Sequence, residues 1–125
     1  MKAINPKARR VYVPKSDRSL PPEQQTKIFL RPLTVAEHAY IGDTYEDLKT
    51  MKATRAFDLV RLAITGWENL PVQTDEGEVP APFLLDGTGY ASKETVSYLP
   101  VELALELVTD ITEYENPTPA EVGKS

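Results

Sequence analysis

The residues able to do chemistry are few and scattered. His38 is the only histidine, so any Ser-His-Asp relay would have to be built around it, and no serine on a strained strand-to-helix turn lies nearby in the sequence. A histidine on a helix surface is the simpler reading. Cysteine is absent, which removes thiolate nucleophiles, thiolate zinc sites and disulfides. Asp75-Glu76-Gly77-Glu78 concentrates carboxylates but lacks the alternating oxygen ligands of a calcium loop, and a tight turn accounts for it. Gly87-Thr88-Gly89 lacks the preceding strand and following helix that cradle a phosphate. Gly123-Lys124-Ser125 matches the end of a phosphate-binding loop, yet Thr118 stands where its first glycine belongs. Arg55, Asp58 and Arg61 are spaced for ion pairs along one helix face, each worth a few tenths of a kcal/mol if exposed. That makes them a stabilising device first and a binding surface second. By elimination the chain is not an enzyme, no catalytic residue, metal or cofactor is expected, and its product is an interaction.

The elements that would position such a surface centre on residues 57–83. Ala56, Phe57, Leu59, Val60, Ala63 and Ile64 leave only a narrow polar stripe of Arg55, Asp58, Arg61 and Thr65, so the spacing predicts a helix buried on more than one side. Gly66 stands where a left-handed residue closes a helix, and Trp67 then emerges as an apolar anchor whose indole N–H needs a partner. The acidic turn at 75–78 lets Leu70 and Val72 run out and residues 79–83 run back as a strand pair.

Upstream, residues 10–13 read as a short strand ended by Pro14, and residues 26–31 as a second, with Ile28 and Leu30 on one face and Phe29 on the other. The loop composition of residues 14–25 joins them as a hairpin. A two-stranded sheet alone is marginal, so a helix must cover it. Thr34 and Glu37 have the spacing of a capping box, and the helix they start should break at Gly42-Asp43 and restart at Thr44. Downstream, Asp86-Gly87-Thr88-Gly89 is a loop, Ser92 caps a short helix, and Leu99-Pro100 opens a last helix over residues 101–114. Leu103, Ala104, Leu107, Val108, Ile111 and Tyr114 form its apolar stripe. The expected architecture is α+β: a mainly helical single domain with a short N-terminal β-hairpin and a second short strand pair after the central helix. Residues 1–9 would be a flexible basic arm, residues 10–114 the globular domain, and residues 115–125 a disordered polar tail. The structural core is placed at Phe57, Val60, Ile64, Trp67, Phe83, Leu107 and Ile111.

The 125 residues suffice for one core, since a globule of this size buries roughly two thirds of its unfolded surface. There is no apolar signal core at the N-terminus and no run of the roughly 18 apolar residues that a membrane span needs, so a soluble protein without membrane contact is expected. The net charge of −5 hides an asymmetry: residues 1–62 carry 12 Lys or Arg against 7 Asp or Glu, and residues 63–125 carry 2 against 12. Each half either shows its charge to solvent, or the acidic half meets a basic partner or the basic N-terminus of another copy. Glu102, Glu106 and Asp110, with Arg55 and Arg61, are the candidate partner-binding residues. Nucleic acid is a weaker candidate, because no recognition helix follows the basic N-terminal cluster and the rest of the chain repels phosphate.

One resemblance adds to this. Phe29-Leu30-Arg31-Pro32-Leu33-Thr34 leading into a capped helix, Gly66-Trp67-Glu68-Asn69, an acidic glycine turn, residues 79–83, and Leu99-Pro100 opening a final amphipathic helix together resemble the tail assembly chaperones of long-tailed bacteriophages over residues 28–114. The resemblance implies a protein of the infected host's cytoplasm that binds the tape measure protein, recruits tail tube subunits and is absent from the mature virion. It also implies a longer frameshifted form, with which Val122-Gly123-Lys124 is compatible. A structural head–tail adaptor in the virion and a small nucleic-acid-binding or regulatory module are the alternatives.

Overall fold

The computed structural model describes residues 3–44 and 53–115. Among these, four α-helices and two small antiparallel sheets make an α+β fold. Helix and sheet share the framework, which corrects the mainly helical expectation.

The first sheet is the platform. Strand β1 (Arg10–Tyr12) pairs antiparallel with β2 (Lys27–Leu30), as the β-branched and aromatic residues predict. The connection contains two 3-10 turns, Lys15–Asp17 and Pro22–Gln24. Ile28 and Leu30 are fully buried while Phe29 faces outward, half-buried. Helix α1 (Val35–Thr44) begins with the expected box: the Thr34 N–H donates to Glu37 Oε1 at 2.8 Å and the Glu37 N–H to Thr34 Oγ1 at 3.2 Å. The helix continues through Gly42-Asp43, where a break was expected. The predicted restart, residues 44–48, lies largely outside the described residues.

Helix α2 (Ala53–Ala63) runs without a loop into β3 (Ile64–Glu68), which completes the sheet in the order β1-β2-β3. This overturns the helix end predicted at Gly66. Gly66 is a strand residue opposite Phe29, and among the described residues only Asn69, Gly77 and Gly89 have positive φ. The β-branched pair Ile64-Thr65 and the aromatic Trp67 favour strand over a further helical turn. The Arg31 N–H donates to Ala63 O at 3.0 Å, so the helix end is satisfied from the sheet side. Thr65 has no opposite residue where the register shifts, and its hydroxyl donates to Phe29 O at 3.3 Å.

Asn69 then turns the chain at φ 55°, a conformation asparagine tolerates, and its side-chain amide donates to the carbonyls of Glu23 and Gln25. Strands β4 (Pro71–Thr74) and β5 (Gly77–Pro80) form the expected acidic hairpin, and Gly77 at φ 108° supplies the backbone that the turn requires. Ser92 caps α3 (Lys93–Ser97) by accepting from the Thr95 N–H, and α4 (Val101–Glu115) packs on α2.

The core lies between the inner face of the sheet and helices α2 and α4. Val60, Ile64, Leu107 and Ile111 are buried as predicted. Phe57, Trp67 and Phe83 are only partly buried and pack against that core from its margin. The Trp67 indole N–H donates to Ala81 O at 2.9 Å, and its ring meets Phe83 edge to face at 5.0 Å. Tyr114, placed on the apolar stripe, is half exposed beneath the Arg10 guanidinium. Residues 3–9 of the basic arm are exposed. Of the tail, only Glu115 is described, as the last residue of α4, and residues 116–125 lie outside the described residues.

Candidate functional site

The candidate partner-binding residues separate into different environments. Arg61, on the inner side of α2, donates from Nη1 to Asp86 Oδ2 at 2.6 Å and faces Asp58 Oδ1 at 3.5 Å. Its side chain is 13 % exposed, so it ties α2 to the loop before α3. Asp86 is held down at about 2 chiefly by hydrogen bonds from the Thr88 hydroxyl and N–H, which outweigh desolvation, with lesser help from the Tyr90 N–H and Arg61. Arg55 is half-buried and forms no ion pair with another described residue.

The acidic face of α4 is largely engaged by the chain's own N-terminal segment. Glu106 Oε1 accepts from the Tyr12 hydroxyl at 2.8 Å and from the Lys15 N–H at 3.0 Å. Asp110 pairs with Arg10, whose guanidinium stacks over Tyr114 at 4.2 Å. Burial and the Glu106 carboxylate push the Tyr12 phenol up to about 12, while the Lys15 N–H is the main influence lowering Glu106. The basic segment and the acidic helix, a candidate contact between two chains in the sequence, therefore meet within one. Glu102 remains exposed.

A third polar group surrounds Glu37. Arg31 grips its carboxylate through both guanidinium nitrogens, Nη1 to Oε1 at 2.9 Å, and the Tyr90 hydroxyl also bonds to it. The cleft there, about 310 Å³, is lined by Thr34, Tyr40, Arg61 and Thr88 as well as Glu37 and Tyr90. Its charged groups are committed to one another, so it reads as a joint. His38, the next residue after Glu37 along α1, is exposed. Among the described residues no group of three or more His, Asp or Glu side chains could hold a metal ion, and no helix is long and apolar enough to cross a membrane.

Another concavity is apolar. A groove of about 300 Å³ runs between α2 and α4 beside α3, lined by Phe57, Val60, Val96, Leu99, Val101, Ala104, Leu105 and Val108 with Ala56 and Ser97. Val101 and Leu105 are 75 % and 61 % exposed, far more than the buried stripe of Leu103, Leu107 and Ile111 on the same helix. Residues 101, 105 and 108 recur at helical spacing, so α4 carries two apolar stripes. The single stripe expected from the sequence merges Ala104 and Val108 of the groove with Leu103, Leu107 and Ile111 of the core, and leaves out Val101 and Leu105. The signal for the other was the apolar pair Val101 and Leu105 standing among the acidic residues.

Comparison of the chain with known protein families, characterised proteins and solved structures finds no match.

Proposed function

We propose that the protein is an assembly chaperone that holds an apolar helical stripe of another chain in the α2–α4 groove. The observation that carries this is the second apolar stripe of α4, left open to solvent on a helix whose first stripe already builds the core. An amphipathic partner helix buries apolar residues at i, i+3, i+4 and i+7, which suits a groove between two helices. Exposed apolar surface of this kind is where interaction sites form. Together with the resemblance over residues 28–114, this favours the tape measure protein of a long-tailed phage as the client, shielded in the host cytoplasm until tail tube subunits arrive. Released from its client, the chaperone would be absent from the finished particle.

The test is co-expression with a long helical segment of a tape measure protein. Val101→Asp with Leu105→Asp should keep the melting temperature and lose the client from the soluble co-purified complex. Retention of the client by that variant, or the presence of the wild-type chain in purified virions, would sink the reading.

A further inference from the structure

We propose that copies of this chain join head to tail, the acidic β4–β5 hairpin of one seating on the outer face of the β1-β2-β3 sheet of the next. The hairpin is an arm held mainly at its base, where the Ala81 N–H donates to Leu70 O at 2.8 Å and both residues are buried. Beyond that base residues 73–76 and 78–80 are exposed. The arm carries Asp75, Glu76 and Glu78 and no Lys or Arg. A two-stranded sheet is marginal in water, so an arm of this kind gains order by docking.

The complementary surface is on the same chain. On the outer face of the sheet Val11, Phe29 and Gly66 stand opposite one another across the three strands. Val11 is 54 % exposed, and Gly66 leaves the side of the Phe29 ring without a neighbouring side chain from β3. The Arg9 guanidinium lies 4.4 Å over that ring, and Lys7 is exposed two residues before it. Neither cation has an ion-pair partner among the described residues, and the same is true of the three hairpin carboxylates. The carboxylates meet Arg9 and Lys7 beside the exposed Val11 and Phe29, whereas Val79, next to Glu78 on β5 and so on the opposite hairpin face, stays with Val72 on the side of its own chain. The two surfaces differ, so the contact is heterologous and propagates as a chain or ring instead of closing as a two-fold dimer. The inference does not depend on what occupies the α2–α4 groove.

Sedimentation velocity of the full chain alone tests it. The wild type should grow with concentration at low salt and return to monomer as added salt shortens the screening length. Asp75→Asn with Glu76→Gln and Glu78→Gln should be monomeric, and so should Lys7→Gln with Arg9→Gln, each with an unchanged melting temperature. Mixing the two variants should give a one-to-one dimer and nothing larger, since only one productive contact remains. A wild type that stays monomeric up to about 1 mM, a mixture that forms no dimer, or a two-fold dimer that neither variant breaks would overturn the proposal. Leu105→Asp should leave this behaviour intact while losing the client, which separates the failure of one contact from the failure of the other.

Discussion

Glu37→Gln keeps the shape of a side chain that is 6 % exposed while removing its charge. Burial alone would raise the pKa of Glu37. Hydrogen bonds from Arg31, the Thr34 N–H and Tyr90 outweigh it, and the folded carboxyl is held at about 2 against an ordinary 4.5. A folded group that binds its proton less tightly than the unfolded one stabilises above the ordinary value and loses that contribution as pH falls toward the folded one. The full shift is worth about 3 kcal/mol at most, and linkage removes about 2 kcal/mol of it by about pH 3. Urea denaturation followed by circular dichroism over a pH series gives the difference between the two chains directly. Near neutral pH the variant should be less stable by about 2 to 3 kcal/mol, and the gap should close as acid protonates the wild type. Asp86, also lowered, is present in both chains and cancels. A difference that stays constant across the series would refute the charge as its source, leaving the amide's poorer fit as the cause.

The indole hydrogen bond and ring packing of Trp67 separate by substitution. Trp67→Phe should cost about 1 kcal/mol and Trp67→Ala about 3, the low end for a buried aromatic because the ring is half-buried; equal losses in chemical denaturation would mean the ring packs on nothing. Glu106→Ala should cost about 1 to 2 kcal/mol by releasing Tyr12 and the Lys15 N–H, and amide hydrogen exchange should show faster exchange at Lys15. Unchanged protection there would remove Glu106 as the clasp of the N-terminal segment.

Local signals in this chain were legible where both partners lie within a few residues. Thr34 with Glu37, Ser92 with Thr95, and the glycine that returns the acidic hairpin each satisfy backbone groups of their own turn, so spacing alone identifies them. The fate of Gly66 was not of that kind. After Ala63 a helix and a strand are both open to the chain, and the choice falls to strand because β2 offers an edge and the Arg31 N–H offers a donor, both more than thirty positions away. Propensity is a weak prior against such a long-range partner. The acidic face of α4 was misplaced for the same reason: Glu106 and Asp110 look like free surface until Arg10, Tyr12 and Lys15 are brought onto them.

That folding-back changes what the charge asymmetry can do. Arg10 with Asp110 and Arg61 with Asp86 join the basic and acidic halves inside one molecule, so these groups discriminate between folded and unfolded states more than between partners. Specificity toward another chain then falls to groups left outside this pairing. On α4 these are Val101 and Leu105 with Glu102 beside them, and elsewhere the hairpin carboxylates and Arg9. An apolar groove without an opposing charge accepts many amphipathic helices, whereas charges on separate arms select orientation and register. Under the function proposed above, a surface built this way would hold a long, repetitive apolar client loosely at each point and still arrange copies of the chain in order along it.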